Sequence, residues 1–263
     1  MVLRLIGHLL LVLTLTILTQ IGGVIYVLTY FLSKRLSFNT LKSFMIFLGV
    51  YLVVSVAVLP VIAPFFGRKP LPLFGNLRPV NYLTCVLNRH YVVAELDEVL
   101  VEMSDDYSEK FGGSVNYLDA NFPLFNGFPL MPHLSHNDGK KVDLAFCYDD
   151  KSGSMTDHVP SWIGYGAYDE PKEGEQNYPK LCSEKGYWQY GLLKWITFDN
   201  RGYKVNSKRT SWIIKRVTLD DRVSKVFIEP HLKARWGLNG NDKVRFHGCQ
   251  AVRHDDHIHL QIR

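Results

Sequence analysis

The chain has 263 residues, 47% of them hydrophobic and 21% charged, with a formal net charge of +5. That length and balance exclude a peptide and give no ground for a disordered chain. The charge is small and scattered, and no RNA-recognition, zinc-finger or P-loop pattern accompanies it, so nucleic acid is not an expected partner.

The extreme hydrophobicity lies in the first 66 residues. Residues 5–33 are interrupted chiefly by His8, Gln20 and a pair of glycines, and residues 44–66 carry no charge. A helix needs about 20 apolar residues to cross a bilayer. Residues 1–66 are therefore predicted to form a transmembrane hairpin with spans at about 5–33 and 44–66, so the lipid bilayer is an expected partner. The first run is too long for a signal peptide, and no small-residue cleavage site precedes Lys34. Lys34, Arg35 and Lys42 between the spans predict a cytoplasmic loop, which puts the N-terminus and everything beyond residue 66 outside. Arg68, Lys69 and Arg78 pull the other way, toward a cytoplasmic domain. Within the two predicted spans His8, near one end, is the one acidic or basic group, which offers little for a transport path.

Residues 67–90, with several prolines and glycines, read as a tether, and residues 91–263 as one soluble domain. Residues 92–111 have helical periodicity with acids on the polar face. VNYLDANF is a short β-like stretch, and the loop PLFNGFPLMP follows it. KVDLAFCY alternates as a strand does. Residues 150–190 are rich in Gly, Pro, Asp, Tyr and Trp and read as a long loop of the kind that lines a groove. Residues 205–219 suit a helix and SKVFIE a strand. PHLKARWG opens with a proline and closes on a glycine, as a short helix does. HIHLQI is the last strand. This mixture predicts an α+β fold with a small, mostly antiparallel sheet and flanking helices. Cys85, Cys147, Cys182 and Cys249 form no CxxC pair. Outside the cytoplasm they permit disulfides, in any of three pairings.

Two histidine clusters carry the chemistry. HLSHNDGKKVD supplies His133, His136 and Asp143, and RHDDHIH supplies His254, His257 and His259. A catalytic zinc takes about three protein ligands and keeps one position open. His136 and Asp143 can reach one ion if the chain turns at Gly139. His257 and His259, two apart on a strand, share one face. Taken singly, an HxH pair or an acid beside a histidine is weak evidence, and a non-catalytic zinc site is the plain alternative.

The pattern HxxHxxGxxVD followed by HDxHxH resembles the penicillin-insensitive murein endopeptidases. These belong to the wider group of zinc peptidases that includes lysostaphin-type enzymes, D-Ala-D-Ala carboxypeptidases and the Hedgehog signalling domain. The likeness spans roughly residues 90–263 and is specific at both ends, where SKVFIEPHLK adds to it. It implies a Zn2+ cofactor held by His136, Asp143 and His259, with His257 as the base acting on water at the metal's open position. His133 and His254 would orient that water or steady the oxyanion. Asp256 stands three residues before His259, the spacing of the base in the carboxypeptidase branch, so Asp256 and His257 both remain candidates. Asp255 is expected to orient a histidine.

The implied function is hydrolysis of peptide bonds in peptidoglycan stem peptides or crosslinks. The chain would be anchored in a bacterial inner membrane, with its catalytic domain on the periplasmic side. The chain departs from the family in its two membrane spans and in CQAVR before the last motif, where the family is rich in tryptophan; this puts the exact bond in doubt. Arg245 and Arg253 could meet substrate carboxylates or be ordinary surface charge. Trp162, Tyr165, Tyr168, Tyr187 and Trp188 could line a groove or simply pack. Carboxypeptidase-type activity, a zinc-dependent binding or signalling module without hydrolysis, and a membrane protein whose function lies in the hairpin are the competing readings.

Overall fold

A computed structural model describes residues 2–190 and 202–263. The first apolar run is not one span. Helix α1 (Val2–Thr19) stops where Gln20 takes a left-handed φ of 68°, and α2 (Gly22–Arg35) turns back along it. Thr19 makes the stop: its hydroxyl donates to the Leu15 carbonyl and accepts from the Gly22 N–H, both inside the turn. Gly23 allows the two helices to touch, since a Cβ there would lie 2.6 Å from the Val12 carbonyl oxygen. The third helix, α3, runs continuously over Thr40–Phe66. The two helices long and apolar enough to cross a membrane are Val2–Thr19 and Thr40–Phe66. The expected span over 5–33 is thus corrected to two antiparallel helices. The N-terminus consequently sits at the same end of the bundle as the loop holding Lys34, Arg35 and Lys42, opposite the end that meets the soluble domain.

The main sheet holds six strands: β1 (Leu77–Pro79), β2 (Val115–Tyr117), β3 (Lys141–Ala145), β4 (Val223–Phe227), β5 (Val244–Arg245) and β6 (His257–Ile262). Their spatial order is β5-β4-β6-β3-β2-β1. The three inner pairings are antiparallel and the two edge pairings, β5 with β4 and β1 with β2, are parallel. The architecture is α+β, and the sheet is mixed, antiparallel at its three inner pairings as expected and parallel at its two edges. Because β1 belongs to it, residues 67–90 are not the expected tether. Lys69–Pro70 also pairs with Tyr91–Val92, and Asn81 caps the short helix Tyr82–Val86.

Helix α4 (Ala94–Phe111) buries Leu96, Val99, Leu100, Met103 and Tyr107, the 3–4 spacing of one helical face. Each such side chain contributes about 1.5–3 kcal/mol by leaving water. Helix α5 (Ser207–Thr218) lies beside it, with Arg209 donating to the Tyr107 hydroxyl at 3.0 Å. Together they cover one face of the sheet, whose core includes Val142, Leu144, Val226, Ile258 and Leu260.

The bundle is docked on this domain. Ile21, Ile25, Tyr51, Leu59 and Ala63 form one apolar cluster with Tyr91. Asn88 donates to the Thr19 carbonyl at 3.2 Å, Leu124 N–H to Gln20 Oε1 at 2.9 Å, and Tyr51 to the Val86 carbonyl at 2.6 Å. Phe66 meets Phe125 edge-on, and Arg68 donates to Asn126. The loop that leads to His133 therefore rests directly on the helices.

Candidate metal centre

The two central strands bring the clusters together. In the register of β6 against β3, His259 stands opposite Asp143 and His257 opposite Ala145. Alternation along a strand then puts Asp143, His257 and His259 on one face. The third contributor is the turn at Asn137–Gly139, where Gly139 has a φ of +79° and accordingly needs no side chain. The Gly139 N–H donates to Asn121, and this turn returns the chain from His136 into β3.

His136 Nδ1 donates to the Ala120 carbonyl at 2.7 Å. A carbonyl can only accept, so Nδ1 carries the proton and Nε2 presents its lone pair. That Nε2 lies 3.1 Å from His259 Nδ1 and 3.3 Å from Asp143 Oδ1, and the last two atoms are 2.9 Å apart. His133 Nδ1 is 3.2 Å from Asp143 Oδ2 and 3.2 Å from Asp119 Oδ2. His133, His136 and Asp143 form a buried group, with ligand atoms within 4.8 Å of one another, that can hold a metal ion. His136, Asp143 and His259 make a second, tighter triad that shares two of those residues.

The remaining histidines border this centre. His257 Nδ1 pairs with Asp256 Oδ1 at 2.5 Å, while its Nε2 has no hydrogen-bond partner and stands 3.7 Å from Asp143 Oδ1. The other Asp256 oxygen accepts from the Gly166 N–H. Both Asp256 oxygens are thus engaged away from the triad, behind His257. The His254 ring lies 5.0 Å from that of His257 and 5.6 Å from that of His259, with its backbone N–H on Glu229.

Charge and burial act against each other here. Burial raises the Asp143 carboxyl, but the surrounding His136, His257 and His133 outweigh it and hold it well below the ordinary carboxylate range. Burial lowers His257, yet the Asp143 and Asp256 carboxylates push it up to about 9. Burial and the neighbouring histidines leave His254 well below its usual value. Burial takes His259 down to about 4 against the pull of Asp143.

Several supporting groups complete the centre, and of these the sequence had pointed only to Tyr165. Asp119 sits between His133 and Arg89, which grips it through two bonds of 2.8 and 2.7 Å. Tyr165 donates to Asp143 Oδ2 at 2.9 Å and accepts from the Asp119 N–H. His247 brings its ring within 5.7 Å of that of His254. Glu229 is fully buried beneath His254; burial and then Asp255 push its carboxyl up to about 8.

Two expectations are corrected. Arg253 is not free for a substrate: it is buried, bonded to Asp255 and Glu170, and stacked under the Tyr168 ring at 3.8 Å. Asp255 is occupied by Arg253 at 2.9 and 2.5 Å, and the histidine it approaches is His231, at 3.8 Å, not one of the terminal cluster. Arg245 is exposed on the edge strand, held by the Asp242 carbonyl. Of the aromatic residues of the long loop, Trp162 and Trp188 are exposed and Tyr165 faces the centre. One disulfide, Cys182–Cys249, ties that loop to the segment before His254, while Cys85 and Cys147 are free.

A scan against protein-family models found no match, and a search of curated proteins found none.

Proposed function

We propose that the chain is a membrane-anchored zinc metallopeptidase that hydrolyses peptide bonds in peptidoglycan stem peptides or crosslinks. The observation that carries this is the triangle of His136 Nε2, Asp143 Oδ1 and His259 Nδ1, with edges of 3.1, 3.3 and 2.9 Å. Ligands at zinc bond lengths of about 2.0–2.1 Å in a tetrahedron stand about 3.3 Å apart. Two imidazole nitrogens and one carboxylate oxygen are also donors that zinc accepts. Bound there, zinc supplies a Lewis acid that polarises a carbonyl and makes a nucleophile from water near neutral pH.

The residues around the triad divide the remaining work. A divalent cation held by Asp143 would cancel the charge that raises His257 and free its Nε2 of a proton; with Asp256 fixing the ring, that unpartnered Nε2 would then be the atom to take a proton from water and pass it to the leaving amine. His133, bridging Asp119 and Asp143, lies on the other side and is placed to donate to a developing oxyanion. Tyr165 keeps the Asp143 carboxylate in one orientation. The substrate class comes from the resemblance of the two histidine motifs to the murein endopeptidases.

Three features support an outward-facing domain. Arg4, Lys34, Arg35 and Lys42 gather at the far end of the bundle, the side that basic loops keep cytoplasmic. Beyond the last span, Arg68, Lys69 and Arg78 are occupied by Asn126, Asp97 and Asp157. The Cys182–Cys249 bridge suits an oxidising compartment.

A closed, non-hydrolytic zinc module is the second reading. The burial of His133, His136, Asp143, His257 and His259 favours it, since structural zinc sites are closed. The deciding experiment measures zinc and turnover of crosslinked muropeptides for the full chain in detergent, beside His257→Ala. Hydrolysis is expected with about one zinc per chain, falling about 10²–10⁴-fold in the variant while zinc is retained. Zinc without hydrolysis by the unaltered chain selects the second reading, and no zinc at all refutes both.

A further inference from the structure

One cavity lies well away from the metal centre. It is a half-open cleft between the three bundle helices, at the end remote from the sheet, with a volume of about 770 Å3. Ligand sites typically fall at roughly 300–1,000 Å3. Leu11 and Leu15 of α1, Tyr26 of α2, and Phe44 and Phe47 of α3 give it hydrocarbon walls. Its mouth differs in chemistry: Lys34, Ser37, Thr40 and Ser43 stand there.

Two independent observations say what the mouth lacks. Ser33, which lines the cavity, is 5% exposed, and its hydroxyl has no hydrogen-bond partner. One turn earlier, Thr29 satisfies its own hydroxyl on the Ile25 carbonyl. An unmet buried hydroxyl is costly and calls for an acceptor. The second observation is charge. Residues 1–94 contain no aspartate or glutamate, yet Arg4, Lys34, Arg35 and Lys42 meet at this end. None of the ion pairs among the described residues involves Lys34, Arg35 or Lys42; Lys42 instead lies over the Phe38 ring. The site thus offers an apolar slot, hydroxyl donors at its entrance and cations without counter-charge. A chain of methylenes ending in a phosphate matches all three, and basic pockets between transmembrane helices are where anionic lipid headgroups settle.

We propose that this cavity binds one anionic glycerophospholipid, its acyl chain between the helices and its phosphate at Ser33 and Lys34. The inference rests on the bundle lying in a membrane, not on the peptidase reading. The test uses the full chain, delipidated in detergent and examined by native mass spectrometry. Phosphatidylglycerol, phosphatidylcholine and soluble glycerol 3-phosphate serve as separate probes. One phosphatidylglycerol per chain is expected, retained in preference to phosphatidylcholine. Lys34→Gln, an exposed position that leaves the fold intact, should weaken retention about fivefold, as loss of one interfacial cation does. Ser33→Leu should abolish it, with the far-ultraviolet circular dichroism of the helices unchanged as evidence of folding. Equal retention of the two lipids, or no change in Lys34→Gln, overturns the proposal. Glycerol 3-phosphate binding as tightly as the lipid overturns it in favour of a free phosphate. A chain that stays dispersed without detergent overturns both this site and the membrane anchor, but leaves the metal centre untouched.

Discussion

Arg89 and Asp119 allow the electrostatics around His133 to be tested without touching a candidate ligand. The guanidinium holds Asp119 through bonds of 2.8 and 2.7 Å and reaches the Met131 carbonyl at 2.8 Å. Both side chains are nearly enclosed, 11% and 10% exposed. Arg89→Met would leave a buried carboxylate facing His133 alone. Removing one member of a buried pair costs about 3–5 kcal/mol, against about 0–1 kcal/mol at the surface. Adding Asp119→Leu removes the stranded charge. The double variant should therefore recover part of the loss and remain about 1–3 kcal/mol below the parent, because the Met131 carbonyl and His133 lose partners. Urea unfolding of the full chain, read as midpoint and slope, gives these differences. Acid provides an independent check. Burial raises Asp119, but Arg89 and His133 outweigh it and hold it at about 2. A depressed carboxyl contributes stability above its ordinary value near 3.8, and that contribution disappears as pH falls through about 2. The parent should thus lose stability between about pH 4 and pH 2 more steeply than the double variant. A single variant within about 1 kcal/mol of the parent, or a double variant worse than the single, refutes the reasoning.

Two further outcomes are expected. Gly139→Ala should cost at least about 1–2 kcal/mol from its left-handed φ, and more because its Cβ would run into the Arg68 guanidinium. Gly127→Ala, with the same φ of +79° and open space around it, is the control that should lose the conformational part only, in paired melting curves. Glu229 titrates the other way from Asp119. Raised to about 8, it contributes stability that is full below its ordinary 4.5 and is lost as pH climbs through about 8. Glu229→Gln should flatten the stability profile between about pH 5 and pH 8, and an unchanged slope in that range would count against a neutral carboxyl under His254.

What the sequence showed and what it hid follow one division. Periodic stretches were legible because their pattern is local: α4 over 94–111 and the last strand over 257–262 fall where apolar spacing put them. The two histidine clusters, with Gly139 as the turn, were legible by spacing and do converge on one face. The break at Gln20 was hidden because the two arms of a tight helical hairpin join in one unbroken apolar run, so hydropathy does not mark the reversal. Leu77–Pro79 looked like a linker because three residues become a strand only by pairing with Val115–Tyr117, a partner distant in sequence. Asp119, Arg89 and Glu229 were hidden for the same reason, and nothing singled out Tyr165 among the aromatic residues of the long loop. Each is one ordinary residue in an ordinary stretch, and its meaning comes from the neighbour that the fold supplies.

The docking of the bundle on the loop before His133 has a mechanical consequence. Because residues 67–90 are woven into the sheet and Gln20, Phe66 and Arg68 grip residues 124–126, the domain has no leash. Anchored in a bilayer, the histidines would ride at one fixed height, like a blade on a bracket. If the proposed hydrolysis holds, material passing outside that stratum would go uncut however long the protein waited, and the depth of cutting would be set by the thickness of the protein itself.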